Sequence, residues 1–105
     1  MAVRNYDKMV RDRIPEMIEA SGSRPVWDVQ DASSSADMLA KKLIEEAGEY
    51  IESRDIEELA DVVEVVCGIL MHTGHTWEEL ERIRQKKADE RGGFERGIRL
   101  LRVED

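Results

Sequence analysis

Apolar residues recur along the chain at the spacing of amphipathic helices. The densest pattern spans residues 56–73, where apolar side chains cover most of a helical circumference. Its members are Leu59, Val62, Val63, Val65, Val66, Ile69 and Leu70. A helix of this kind is expected to be buried on several sides. A second pattern, from about Ala36 to Ser53, has one apolar face made of Leu39, Leu43, Ala47, Tyr50 and Ile51.

Capping residues and helix breakers set the expected boundaries of these two helices. The serines at positions 33–35 are candidate N-caps for the helix from about Ala36 to Ser53. Asp55 is placed to cap a helix from about Ile56 to Thr73, with Glu58 at the capping-box position. Gly74 is expected to end that helix.

Two shorter helices flank this pair. Pro15 fits the first turn of a helix from about Ile14 to Ala20. The sequence Thr76 to Glu79 forms a capping box that opens a helix from about Trp77 to Glu90. Residues 21–34 are expected to form a loop, with a short extended piece at 26–30. An apolar set in the tail, at 98–103, is expected to pack on the body or on a partner chain.

The pattern therefore predicts an all-α fold with one domain over residues 1–105. Its centre is an antiparallel helical hairpin, completed by further helices into a unit like a four-helix bundle. A chain of 105 residues buries a limited share of its surface, so we expect dimerisation to complete the core.

Two acidic clusters face each other across the predicted hairpin. Glu46 and Glu49 on one helix, and Glu58 and Asp61 on the next, are each three residues apart and share a helical face. Four carboxylates at one point need a counter-charge, and Mg²⁺ prefers oxygen ligands. The clusters predict a Mg²⁺ site, with Mn²⁺ as an alternative ion. Glu45 points further round, where it is expected to support the ligands or activate water. The competing interpretation is a solvated face with ordinary ion pairs.

Net charge, apolar content and cysteine count restrict the classes of partner and the compartment that are expected. The formal net charge of −8 disfavours binding to a nucleic acid polymer, but it permits a small phosphorylated ligand whose charge a metal ion screens. No apolar run approaches the length of a transmembrane helix, so no membrane partner is expected. A single cysteine, Cys67, and the polar, charged start of the chain suit the cytoplasm.

Basic residues near the predicted end of the fourth helix have two interpretations. Lys87 and Arg91 lie beside two glycines and suit phosphate binding, but cations there also complement the helix dipole. Lys8, Arg11 and Arg13 are likewise a basic patch or ordinary surface.

Two other features were weighed. A di-iron carboxylate bundle needs Glu-x-x-His pairs, and neither His72 nor His75 has a glutamate three residues earlier. Trp27, Trp77 and Phe94 are candidates either for stacking on a nucleobase or for anchoring a core or interface.

Three segments together resemble a known family. The acidic motifs Glu45-Glu46-x-x-Glu49 and Glu58-x-x-Asp61 resemble the signature of the MazG-like all-α NTP pyrophosphohydrolases. The segments Tyr6–Glu16 and Lys87–Glu95 are similar to the small phosphoribosyl-ATP pyrophosphohydrolase-like branch. The spacing between the acidic motifs is shorter than the usual pattern, which predicts a tight turn and an altered nucleotide pocket.

The resemblance implies a homodimeric or homotetrameric hydrolase that uses Mg²⁺ to cut a nucleoside triphosphate into a monophosphate and pyrophosphate. It implies metal ligands at Glu46, Glu49, Glu58 and Asp61. Glu45 or Glu49 is the candidate catalytic base. Lys87, Arg91 and Lys42 are the candidate phosphate contacts. House-cleaning of non-canonical nucleotides is the first expectation. Hydrolysis of phosphoribosyl-ATP in histidine synthesis and a non-enzymatic dimerisation or regulatory module are the alternatives.

Overall fold

A computed structural model describes residues 2–105, and every regular element in this range is a helix. The four helices are α1 (Ile14–Ala20), α2 (Ala32–Ser53), α3 (Ile56–Thr73) and α4 (Trp77–Arg91). The predicted all-α class is confirmed. The bounds of α1 and α3 agree with the sequence-based expectation, and α4 ends one residue later. The short extended piece expected at 26–30 forms no strand.

The start of α2 lies four residues earlier than expected, because Asp31 caps the helix instead of a serine. The backbone of Asp31 is extended, and its carboxylate accepts a 2.8 Å hydrogen bond from the backbone N–H of Ser34. A carboxylate there also complements the positive end of the helix dipole. The serines lie in the first turn of α2, where Ser35 is buried and donates to the carbonyl of Gln30.

A two-residue turn joins α2 to α3 and folds them into a hairpin. Arg54 adopts a left-handed conformation (φ 61°), and its backbone N–H donates to the carbonyl of Tyr50 at 2.8 Å. Its side-chain Nε donates to the carbonyl of Ile51. The expected Asp55 side-chain cap does not form. Instead the Asp55 backbone N–H donates to the hydroxyl of Ser53, so the serine that ends α2 provides a hydrogen-bond acceptor within the turn.

Close packing of α2 on α3 depends on a glycine. A Cβ atom at Gly68 would lie 3.0 Å from Cδ1 of Leu39, which is closer than ordinary packing allows. The absence of a side chain at this point therefore lets α3 approach α2. Further along, α3 ends at Gly74, whose positive φ of 77° suits a helix C-terminus.

The chain divides into two compact units. The first ends at His75 and contains α1, the α2–α3 hairpin and the preceding segment; the second comprises Thr76–Asp105. In the second unit, the predicted capping box forms, with Thr76 and Glu79 bonded reciprocally. α4 ends at Gly92, and the tail beyond it is irregular. Its apolar side chains are exposed, at 71–77% for Ile98, Leu100, Leu101 and Val103.

The hydrophobic interior of this one chain is small. Val65 is the only apolar residue classed as buried within residues 2–105. The expectation that α3 is buried on several sides is therefore wrong for the isolated chain. One stripe of α3 faces solvent, at spacings of three and four residues: Ile56 is 77% exposed, Leu59 39% and Val63 47%. None of the helices in the described range is long and apolar enough to cross a bilayer.

This exposed stripe leads to a prediction about assembly. We expect a homodimer at micromolar concentration, because pairing two copies removes the stripe from water. Val63→Glu should shift the population toward monomer, while Glu57→Ala on the same helix should not. Light scattering coupled to size exclusion measures both. A wild-type protein that remains monomeric would contradict the prediction.

Candidate metal and phosphate site

Three of the four predicted metal ligands converge at the turn end of the hairpin. One carboxylate oxygen each from Glu46, Glu58 and Asp61 lies within 4.8 Å of the other two. Glu46 comes from α2, whereas Glu58 and Asp61 lie one helical turn apart on α3. The two-residue turn brings the end of α2 beside the start of α3, so the cluster follows directly from the hairpin.

The geometry of the three oxygens is compatible with a small divalent cation. Mg²⁺–oxygen distances are about 2.0–2.1 Å, so ligands on opposite sides of the ion lie about 4 Å apart. The three oxygens all lie within 4.8 Å of one another, so small side-chain rotations would suffice to bring them onto one ion. All three residues are partly exposed, which leaves room for water and phosphate oxygens as further ligands.

The charges of the cluster act most strongly on Glu58. Its pKa is raised above the usual carboxyl value, first by desolvation and then by the negative charges of Glu49, Asp61 and Glu46. The hydroxyl of Ser53, 3.5 Å from Oε1 of Glu58, opposes this shift by stabilising the charged form. A neighbouring cation would favour the charged form of Glu58 and oppose this shift.

The raised pKa predicts a pH dependence of stability. The folded protein binds a proton at Glu58 more tightly than the unfolded chain does. The free energy of unfolding should therefore fall as pH rises from the ordinary carboxyl value of 4.5 through the raised pKa. In metal-free protein, urea denaturation across this range should show a shallower fall for Glu58→Gln. An equal slope in both proteins would show that Glu58 is not under this strain.

Basic side chains of the same unit are paired with the acidic residues. Nζ of Lys42 lies 3.4 Å from Oε1 of Glu46, and both side chains are shielded, at 16% and 13% exposure. Arg11 donates to Asp61 at 2.7 Å, and Lys8 donates to Glu45 at 3.3 Å. The last two pairs are much more exposed. Exposed pairs of this kind are weak, so a divalent ion can displace them.

A cavity of about 370 Å³ lies between the N-terminal segment and α2. It borders the acidic cluster, because its wall includes Lys42 and Glu45. The remaining lining residues are Asp7, Lys8, Met9, Met38 and Lys41. Lys42 links the cavity to the acidic cluster, because it lines the cavity and its Nζ lies 3.4 Å from Oε1 of Glu46.

The other predicted site residues are distributed as follows. Glu49 is exposed and lies outside the group of three oxygens, although its charge acts on Glu58. Glu45 is held by Lys8 at the cavity. Lys87 and Arg91 lie on α4, in the second compact unit. Their role as phosphate contacts stays a prediction.

Sequence reasoning did not single out two contributors to this region. The sequence pattern marks Arg11 only as part of a basic patch, and it gives no indication of a role for Lys41. A signal was present, because residues 4–13 carry four cationic side chains in a chain of net charge −8. Such a segment has nearby acids as its natural partners. The pairing with particular carboxylates depends on how the segment folds back, which periodicity does not reveal.

The histidines play no visible part in a cluster. Within residues 2–105, neither His72 nor His75 belongs to a group of three or more potential metal ligands. Cys67 is a free thiol, partly buried on α3.

Comparisons with known proteins identify no relative: no family model, no curated protein and no solved structure matches this chain.

Proposed function

We propose that this protein is a Mg²⁺-dependent nucleoside triphosphate pyrophosphohydrolase that cleaves between the α- and β-phosphates. The observation that carries the proposal is the convergence of Glu46, Glu58 and Asp61 at the hairpin turn. The resemblance of the acidic motifs and of both terminal segments to MazG-like enzymes supports the same reaction. House-cleaning of non-canonical nucleotides in the cytoplasm is the proposed context.

The chemistry assigns a separate task to each part of the site. Glu46, Glu58 and Asp61 would hold a Mg²⁺ ion, which would neutralise phosphate charge and lower the pKa of a coordinated water. Glu49 is the better candidate for the base that accepts a proton from the attacking water, because it has no hydrogen-bond or ion-pair partner in the described range and lies outside the group of three. Glu45 is instead engaged by Lys8.

Basic residues stabilise the charge that develops on the leaving pyrophosphate. Lys42, whose Nζ lies 3.4 Å from Glu46, is the first candidate for this task. Arg11, paired with Asp61, and Lys8, paired with Glu45, are further candidates. An arginine at such a position can bind two phosphate oxygens at once, whereas a lysine acts as a point charge.

A panel of nucleotides assayed for monophosphate and pyrophosphate tests the proposal. Canonical and modified nucleoside triphosphates and phosphoribosyl-ATP are each incubated with the protein and Mg²⁺, with EDTA as the control. We expect equimolar monophosphate and pyrophosphate, with no product in EDTA. Preference for phosphoribosyl-ATP would move the protein to the histidine-synthesis reaction within the same class.

A second candidate function is favoured by the exposed apolar stripe of α3. Ile56, Leu59 and Val63 suit a helical dimerisation or regulatory module whose acids bind a cation for structure only. In that case Mg²⁺ would raise the melting temperature, but no nucleotide in the panel would be hydrolysed.

A further inference from the structure

Lysines are concentrated at the cavity beside the acidic cluster. The chain has five lysines, and three of them, Lys8, Lys41 and Lys42, line this one cavity. The lining also contains Asp7 and Glu45, so its side chains sum to a charge of +1 (three positive, two negative). The whole chain carries −8. The lining of the cavity therefore carries a small excess of positive charge on an acidic protein, and a cation bound at the bordering carboxylates would make the region more favourable for anions.

The three ammonium groups are held differently. Lys8 and Lys42 pair with Glu45 and Glu46, whereas Lys41 makes no ion pair within residues 2–105. Lys41 therefore needs no rearrangement to meet an anion. Met9 and Met38 complete the wall with uncharged, adaptable side chains.

The size of the cavity limits its occupant. Pockets for whole drug-sized ligands span about 300–1,000 Å³, and this cavity, at about 370 Å³, lies near the lower end. A phosphate chain fits within this volume with room to spare, and its negative charge matches the ammonium groups of the lining.

We infer that this cavity binds the pyrophosphate portion of the substrate, with Lys8 and Lys41 as phosphate-binding residues besides Lys42. The inference rests on the proposed function and deepens it, because it assigns a binding site to the two outer phosphates of the nucleoside triphosphate. These phosphates lie in the lysine cavity, and the α-phosphate lies at Glu46, Glu58 and Asp61. Lys87 and Arg91 are then not the main phosphate contacts.

The Lys42–Glu46 pair couples the cavity to the acidic cluster. Lys42 is attracted to Glu46 only while that carboxylate keeps its charge, so neutralisation of Glu46 by a cation releases Lys42 for phosphate. Mg²⁺ and pyrophosphate should therefore bind with positive coupling, and each should raise the affinity for the other.

Lysine acylation with mass-spectrometric readout tests the location. The full-length protein is treated with an acylating reagent in Mg²⁺, with and without inorganic pyrophosphate. We expect pyrophosphate to protect Lys8, Lys41 and Lys42 while Lys86 and Lys87 stay reactive. Protection of Lys86 and Lys87 instead would place the phosphates at α4 and overturn the inference. The inference would also be overturned if pyrophosphate protected none of the lysines.

Titration calorimetry with inorganic pyrophosphate in Mg²⁺ tests the energetics. Lys41→Gln should weaken binding roughly tenfold, about 1.4 kcal/mol, since it removes a hydrogen bond between two charged groups. Arg99→Gln, which removes one positive charge from the exposed tail, is the matched control and should bind like wild type. Equal affinity for wild type and Lys41→Gln would refute the assignment. Neither experiment depends on catalysis, because pyrophosphate is not turned over. A protein without hydrolase activity can therefore still bind pyrophosphate in the cavity, and an active hydrolase can fail to bind it there.

Discussion

Glu46→Gln and Asp61→Asn are each expected to lower pyrophosphohydrolase activity by at least about 100-fold. Loss even of residues that merely orient metal ligands typically costs about 10–100-fold, and a direct ligand should cost more. Each variant replaces one of the three converging carboxylates by an uncharged amide of the same shape. The measurement is kcat/KM at saturating Mg²⁺ on the best substrate from the nucleotide panel.

The same variants should lose the thermal stabilisation that Mg²⁺ confers on the wild type. A ligand that binds only the folded state raises its stability, so losing the site removes the gain. Without metal, both variants should stay folded, because removing one of several like charges relieves repulsion and offsets the lost contact with Lys42 or Arg11. Asp61→Asn also weakens the exposed contact with Arg11, which costs little.

Glu64→Gln provides the control for net charge. Glu64 is an exposed acidic residue of α3 outside the cluster of three, so this variant should keep both activity and the Mg²⁺-dependent rise in melting temperature. If Glu46→Gln and Asp61→Asn behave like Glu64→Gln, the proposed metal site is wrong. Loss of the thermal shift with full activity would separate a structural ion from the catalytic centre.

Local signals in the sequence were sufficient for most of the fold. The bounds of α1 and α3 followed from Pro15, Gly74 and an uninterrupted apolar pattern, all of which act within one or two helical turns. The capping box of Thr76 and Glu79 was also predicted from spacing alone and is present. The start of α2 was missed because Asp31 competed with three adjacent serines as a cap, and an acid placed at that end has the added advantage of the helix dipole.

The candidate site likewise has a part that local sequence signals predict and a part that they do not. Convergence of Glu46, Glu58 and Asp61 was predictable, since a tight turn between two helices leaves few alternative arrangements. The pairing of Arg11 with Asp61, by contrast, joins residues 50 positions apart. It depends on the path of an irregular segment, for which no periodicity exists. The predicted burial of α3 was wrong for a related reason. The helix has the composition of a buried helix, but one chain supplies too little apolar surface to cover Ile56, Leu59 and Val63.

Hydrolysis in ¹⁸O-labelled water is expected to place the label entirely in the nucleoside monophosphate. In the proposed reaction the two outer phosphates would occupy the lysine cavity, which would leave the α-phosphorus next to Glu46, Glu58 and Asp61. A water deprotonated by Glu49 would attack the α-phosphorus, its oxygen would stay with the monophosphate, and the bond to the bridging oxygen would break as pyrophosphate leaves. The sequence contains no Walker-type Gly-Lys-Ser/Thr loop, the usual device for transfer of the γ-phosphoryl group.

Mass spectrometry of both products after a single turnover distinguishes the alternatives, with hydrolysis in unlabelled water as the control. Label in pyrophosphate would mean attack at the β-phosphorus, and an initial burst of orthophosphate would mean cleavage of the γ-phosphate. Either result would move the reacting phosphorus away from the three carboxylates. The lysine cavity would then hold a different part of the substrate, even though the acidic cluster could still bind its ion.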